Sequence, residues 1–275
     1  MKTKLIAEIG INGNGNMDLT KKMIDVAVLG KCWAVKFQKR SIEKVYSKEE
    51  LDKPRESPWG KTNRDQKRGL EYTLEQYKEI DAYCKQKNIK WYCSPWDVDS
   101  VDFLMQFDIP FIKIASASLT DIELLEKIKK TGKPVILATG MSNEQELDRA
   151  LEIFGNQVEY ILSCTSSYPT PSEEMNMSRI LTLKRKYGDK YKIGFSNHSP
   201  GIIFIVTAFV LGCEMLEFHI TMDRASYGSD QASSLEPQGV LKIKSYIEDI
   251  QKGWGDGEIK CLKSEESVKA KLRKK

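Results

Sequence analysis

Short apolar runs recur along the chain, and between them lie longer stretches in which apolar positions return every three or four residues. The runs at residues 5–9, 34–38, 90–94, 111–115, 134–138, 159–164, 192–196 and 214–219 are nearly continuous in hydrophobicity, as strands buried on both faces are. The intervening stretches carry helix-end signals. Asn16 can cap a helix whose apolar face is Leu19, Met23 and Val26, with Gly30 beyond its end. Ser142 to Gln145 reads as a capping box ahead of Leu147, Leu151 and Phe154, closed by Gly155; boxes of the same kind begin at Thr73 and Thr120. Eight strand-then-helix repeats in about 250 residues predict an α/β fold, a single-domain TIM (β/α)8 barrel over residues 1–252, with a charged tail at 253–275. A doubly wound open sheet is the alternative, but it usually needs fewer strands for this length.

One connection breaks the alternation. Between Lys39 and Tyr72 no clean helix or strand is predicted, and the segment holds Pro54, Pro58, Trp59, Gly60 and many charges. Loops this long in a compact domain are usually functional, and one that follows the second strand lies on the face where barrel enzymes keep their chemistry. A solvated charged excursion is the competing reading. Composition then narrows the class. Apolar content of 40% suffices for a core, charged content of 30% disfavours a membrane protein, and no apolar run approaches the roughly 18 residues that span a bilayer. Glu8 stands where a signal peptide would be apolar, and six cysteines are scattered without paired spacing, which together predict a cytoplasmic protein. A net charge of +4 with no basic, aromatic stripe predicts no nucleic-acid partner.

In a barrel, polar residues at the C-terminal strand ends converge on one mouth. Glu8 comes from the first strand, Lys36 and Gln38 from the second, and Ser94 from the third. Lys113 and Ser116 follow from the fourth, Thr139 from the fifth, and Thr165 and Tyr168 from the sixth. The seventh brings Ser196 and His198, and the eighth His219. Lys36 with Gln38, Ser196 with His198 and Glu217 with His219 are period-two pairs, so each pair shares a face. His198 and His219 are the only two histidines in the chain, and imidazole is a common ligand for catalytic metals. Satisfied polar groups in a barrel mouth are the plainer reading of the same pair. Lys36 and Lys113 interrupt apolar strands, and with the nearby hydroxyls they suit a phosphate and a carboxylate; snorkelling at the rim is the other reading.

Seven strings hold most of these residues. They are Ile6-Ala7-Glu8-Ile9-Gly10, Val35-Lys36-Phe37-Gln38, Phe111-Ile112-Lys113-Ile114-Ala115-Ser116 and Lys133-Pro134-Val135-Ile136-Leu137-Ala138-Thr139-Gly140-Met141. Further on come Cys164-Thr165-Ser166-Ser167-Tyr168-Pro169-Thr170-Pro171, Ser196-Asn197-His198 and the run from Gly228 through Asp230 to Pro237. In this order they resemble the sialic acid synthase family over nearly the whole chain. The resemblance implies condensation of phosphoenolpyruvate with an N-acylated mannosamine-type sugar, giving a nine-carbon 2-keto acid and phosphate. It implies a divalent metal, Mn2+ or Mg2+, held by His198 and His219. It assigns Lys36, Ser94, Lys113, Ser116 and Ser196 to phosphoenolpyruvate, with Thr139 beside the phosphate position. Gln38, Tyr168 and Asp230 would contact the sugar, and Glu8 would serve proton transfer. A homodimer acting on small molecules, away from membranes, is the implied assembly.

The chain departs from the family pattern at several points. Asn12-Gly13-Asn14-Gly15 replaces a histidine-bearing loop, Ser163 stands for a histidine, and Ser118 for an acidic residue. Ala138 stands for a phosphate-binding serine and Ser166 for an asparagine. Many members continue into an antifreeze-like domain that supplies an arginine to the acyl group; residues 265–275 instead read as a short charged helix or frayed tail. The expectation is that a separate antifreeze-like polypeptide supplies that contact, or that the acyl group is held by another route, or that the substrate differs. Two other functions stand as alternatives. One is a 3-deoxy-octulosonate-phosphate-synthase-like enzyme using Lys39, Arg40, Lys61, Arg64, Lys67 and Arg68 for a phosphorylated sugar. The other is a catalytically silent barrel that binds a sugar or a partner.

Overall fold

The computed structural model describes residues 3–274; Met1, Lys2 and Lys275, at the outer ends of the expected barrel and tail, lie outside the described residues. Ten strands and twelve α-helices occur among them. The strands are β1 Lys4–Glu8, β2 Ala34–Lys39, β3 Pro54–Ser57, β4 Gly60–Thr62, β5 Lys90–Pro95, β6 Ile112–Ile114, β7 Val135–Ala138, β8 Val158–Cys164, β9 Lys192–Asn197 and β10 Met215–His219. Eight of them close a barrel in the order β1-β10-β9-β8-β7-β6-β5-β2 with every pairing parallel. The expected barrel is therefore the observed fold, and the open sheet is excluded.

Register explains how distant residues meet. β1 lies between β10 and β2, and Glu8 is level with His219 on one side and with Lys36 on the other. Glu217 is level with Ser196 of β9, and Gln38 with Ser94 of β5. Neighbours at one level of a parallel sheet point to the same face, so these side chains share the barrel interior. β6 is the shortest wall element. It has three residues and pairs with β5 only at Cys93 and Ile112.

Alternation sends Phe37, between Lys36 and Gln38, outward. There it meets Tyr72, Tyr77 and Trp91 edge-on at centroid distances of 6.0 to 6.3 Å. Such aromatic contacts add about 0.5–1.5 kcal/mol each to the burial of the rings and fix the strand's facing. A slip of one residue would turn Lys36 into this apolar shell.

The helices begin largely as expected. α1 (Met17–Leu29) is capped by Asn16, and α5 (Leu74–Gln86) opens with the Thr73–Gln76 box. Two starts are corrected by one residue. Asn143, not Ser142, caps α8 (Glu144–Phe154), because Glu146 returns to its backbone N–H; Asp121, not Thr120, caps α7 (Ile122–Lys129).

The 39–72 segment is also corrected. It is built of α2 (Ile42–Val45), α3 (Lys48–Leu51), the β3–β4 hairpin and α4 (Asn63–Leu70). A Thr62–Asp65 capping box starts α4, and Asn63 Nδ2 donates to Glu50 O at 2.9 Å. Its far end is pinned to α1 by a 2.6 Å hydrogen bond between Tyr72 and Thr20 hydroxyls, and Trp59 meets Tyr227 across the mouth. After α11 (Pro237–Gly253) the remaining described residues, to Lys274, are exposed, with one short helix, α12, at Glu266–Leu272. Among the described residues no helix is long and apolar enough to cross a membrane.

Candidate active site

The floor of the mouth is a cluster of four buried charges. Lys36 Nζ lies 2.9 Å from Glu8 Oε2 and 4.0 Å from Glu217 Oε1, and Lys113 Nζ lies 3.7 Å from that same Glu217 oxygen. All four side chains are 5% exposed or less. Two acids and two bases sum to zero, which is what makes such burial tolerable. Ser196 Oγ donates to Glu217 at 3.1 Å, and Lys36 donates to Ser94 Oγ at 3.3 Å. Glu217 Oε2 keeps no hydrogen-bond partner among the described residues.

Burial and charge divide the proton affinities. Burial pushes the Glu8 carboxyl up, against the pull of Lys36. Burial alone would raise Glu217 as well, but Lys113, Lys36 and the two histidines more than offset it and hold the carboxyl below its usual range. Burial lowers Lys113, with Glu217 opposing. Lys36 also loses to burial but is raised on balance by Glu217 and Glu8. Two carboxyls with divergent proton affinities in one pocket are suited to separate acid and base duties.

Above this floor stand the histidines. Their ring centroids are 5.3 Å apart. His198 Nδ1 faces the Thr165 carbonyl at 2.6 Å and so carries the proton, which leaves Nε2 to accept from the Tyr168 hydroxyl at 2.9 Å. The Tyr168 ring lies against the imidazole, with centroids 4.1 Å apart. His219 is buried, with no hydrogen-bond partner for Nδ1 among the described residues; Asp230 Oδ2 is 3.6 Å away. Burial lowers its pKa to about 4, so the ring is a neutral donor at neutral pH. His198 moves the other way: burial opposes its charge, and the Cys164 thiol outweighs it. The Cys164 thiol, against burial, is drawn down to about 6 by His198 and Lys113.

Two of these ring nitrogens suit a divalent metal. The oriented Nε2 of His198, whose lone pair a metal would take over from the Tyr168 hydroxyl, and an unpartnered ring nitrogen on His219 fit two positions of a metal's shell. Among the described residues no group of three or more His, Cys, Asp or Glu side chains is arranged to hold an ion. The other positions would fall to water or substrate.

The remaining expected residues surround these two layers. Gln38 Nε2 donates to Glu8 Oε1 at 2.8 Å. Ser116 Oγ accepts from Gly140 N at 3.1 Å and lies 3.6 Å from Cys164 Sγ. Gly140 has no room for more, since a Cβ there would come within 2.1 Å of Ser166 Oγ. Thr139 is nearby, but its hydroxyl is donated to the Leu162 carbonyl at 3.1 Å. Of the basic residues in the 39–72 segment, Lys39 pairs with Glu71, Arg64 with Glu43 and Asp52, and Arg68 with Glu43. Arg40 and Lys67 line the pocket beside Gln38, Tyr168 and Asp230.

Sequence reasoning passed over Glu217 and Cys164 as site members. Glu217 had a signal, the period-two pairing with His219; Cys164 had only its place before Thr165. Asn12, where the family carries a histidine-bearing loop, donates to Ile220 O at 2.9 Å and Ser234 Oγ at 2.8 Å, tying the first loop to the last.

Residues 23–259 match the NeuB family. The chain is 35% identical over 273 residues to an N,N'-diacetyllegionaminic acid synthase of Campylobacter jejuni, covering 96% of this chain and 81% of that one. It is 33% identical over 274 residues to the N-acetylneuraminate-9-phosphate synthase of Homo sapiens, covering 98% and 76%. In structure it superposes on an N-acetylneuraminic acid synthetase from Leptospira borgpetersenii, solved with citrate, at a TM-score of 0.83. That match has 31% identity and covers 100% of this chain and 94% of the other.

Proposed function

This chain belongs to the NeuB family, and from that premise we propose that it condenses phosphoenolpyruvate with an open-chain N-acylmannosamine-type sugar, releasing phosphate and a nine-carbon 2-keto sugar acid. The observation that carries the reading is the neutral floor of Glu8, Lys36, Glu217 and Lys113 beneath two facing imidazoles. Lys36 with Ser94, and Lys113 with Ser116, offer charged and neutral donors to the carboxylate and phosphate of phosphoenolpyruvate, and the Gly140 N–H holds the Ser116 hydroxyl in place. Ser196 holds Glu217 in line, and Thr139 borders the phosphate end. Gln38, Tyr168 and Asp230 face the sugar.

Glu8 is the residue to hold and return a proton. Burial raises its carboxyl against the pull of Lys36, which suits Oε2 to take up a proton as charge develops nearby and to give it back. His198 and His219 would hold a divalent cation, Mn2+ or Mg2+, which when bound supplies Lewis acidity toward the aldehyde oxygen. A homodimer in the cytoplasm belongs to the same proposal, as does a tail at 253–275 that takes no part in the barrel.

The deciding experiment is phosphate release from phosphoenolpyruvate, measured with and without N-acetylmannosamine and with and without Mn2+. Release that needs both supports the reading. No release with any aldose, in protein that still binds the metal, would sink it in favour of a silent barrel. A second enzyme reading, with a phosphorylated acceptor, is favoured by Arg40 and Lys67 reaching the pocket and by the likeness to an N-acetylneuraminate-9-phosphate synthase; exclusive use of a phosphorylated sugar would select it.

A further inference from the structure

A pocket of about 240 Å3 opens beside the histidine pair, between the 39–72 segment and the loop after β10. Gln38, Tyr168 and Asp230 line its inner end, where the aldehyde end of a sugar would lie in the proposed reaction. Its outer wall is different in kind. The Arg40 guanidinium carbon sits 4.1 Å from the Trp96 ring centroid, and Ile42 and Leu70 add apolar surface. The Arg40 side chain is 9% exposed, donates to Gln38 Oε1 and lies 3.6 Å from Glu71. Two N–H groups of this stack, Arg40 Nε and Trp96 Nε1, are buried without a hydrogen-bond partner among the described residues. A buried donor lacking an acceptor is costly, and two such donors on stacked residues that line one pocket suit a ligand oxygen.

Charge and position separate the candidate oxygens. Glu71 offsets Arg40, and Asp230 and Lys67 both line the pocket, so its walls sum to near neutrality. A neutral carbonyl suits such walls; a dianionic phosphate calls for surplus positive charge. An acylamino group sits on the carbon next to a sugar's aldehyde, whereas a terminal phosphate sits at the far end. We propose that this pocket is the acyl subsite, in which Arg40 Nε–H and Trp96 Nε1–H hold the acyl oxygen and Ile42 and Leu70 take its alkyl group. The barrel's own loops thereby select N-acyl acceptors. The assignment rests on the reaction proposed above. Arg40 is also a positioning residue, because its bond to Gln38 Oε1 turns the amide nitrogen toward Glu8.

The test assays wild type, Trp96→Phe, Arg40→Met and Ile42→Ala for phosphate release. The acceptors are N-acetylmannosamine, its N-butanoyl analogue, its 6-phosphate, and mannose, which has a hydroxyl in place of the acylamino group. In Trp96→Phe, kcat/KM for N-acetylmannosamine should fall about tenfold or more, with mannose and the KM for phosphoenolpyruvate little changed; Arg40→Met should lose the same preference for N-acetylmannosamine over mannose, with turnover of both lowered through Gln38. Ile42→Ala should shift preference toward the butanoyl sugar. An unchanged preference for N-acetylmannosamine over mannose in both donor variants overturns the subsite. So does a loss confined to the 6-phosphate, which would make the pocket a phosphate site. If wild type turns over none of these sugars, the reaction fails first. Calorimetric binding of N-acetylmannosamine against mannose then still decides the subsite: equal affinities overturn it, and an N-acetyl preference lost in Trp96→Phe upholds it.

Discussion

Glu217 Oε1 lies 3.7 Å from Lys113 Nζ, and both side chains are shut away from solvent. One carboxylate from β10 thus balances a lysine from β6 while also standing 4.0 Å from Lys36. Glu217→Gln keeps the shape and removes the charge, leaving two buried lysines with Glu8 alone. Breaking a buried pair from one side costs about 3–5 kcal/mol, so urea denaturation should show a loss of that order together with lost turnover. A variant as stable as wild type would mean that the cluster is hydrated and the pair unimportant to the fold.

Lys113→Met should raise the KM for phosphoenolpyruvate far more than that for the sugar. Methionine fills the same volume but offers no donor, so the fold should survive while the anion loses its partner. Equal effects on both substrates would show the lysine to be misplaced in this account.

The same lysine sets an alkaline limit. Burial lowers its pKa from the usual 10.5, so the ammonium is present below the lowered value and lost as pH rises through it. In the free enzyme, kcat/KM for phosphoenolpyruvate should therefore fall on the alkaline side before an ordinary lysine would titrate. Glu217→Gln removes the charge that most supports the ammonium, and should move this limb to lower pH in any residual activity. A profile flat to the ordinary lysine value speaks against Lys113 as the anion's partner.

His198→Ala or His219→Ala should abolish tight Mn2+ binding in calorimetry and reduce turnover to background, with the circular dichroism unchanged. Retained activity after chelation, in either variant, would remove the histidines from the metal assignment.

Gly13 offers a test of how the 39–72 segment is anchored. A Cβ there would lie 1.8 Å from the Tyr72 hydroxyl and 2.6 Å from Thr20 Oγ1, where the two side chains share their hydrogen bond. Gly13→Ala should cost about 1–3 kcal/mol by overpacking and raise hydrogen exchange in the segment's C-terminal end. Unchanged stability and exchange would show that the Thr20–Tyr72 contact is not what holds it.

The strands were legible because buried parallel strands are apolar throughout, and the observed ends at Glu8, Pro95 and His219 fall within a residue of expectation. The mouth was legible for a related reason: a lysine such as Lys36 or Lys113 has no business inside an apolar run unless something anionic meets it. Glu217 was harder. Its neighbours Lys36 and Lys113 come from strands far away in sequence, and only barrel closure makes them adjacent. The four-residue helices of the 39–72 segment complete barely one turn, too little for a hydrophobic period to register. At Ser142 and Asn143, two adjacent residues are both good caps, and Glu146 decides between them by reaching the second.

The three residues of β6 carry a mechanical consequence. A cylinder of hydrogen bonds is only as stiff as its weakest seam, and here the seam between β5 and β6 is held at one register position. Lys113 stands on the loose stave, with Ser94 on one side and the Gly140 turn beyond β7 on the other. An anion gripped by all three would act as a staple across the seam. It would tighten the wall that holds it, adding roughly 2.7 kcal/mol when present at a hundred times its dissociation constant. The empty barrel would breathe at that stave, and the filled one would not.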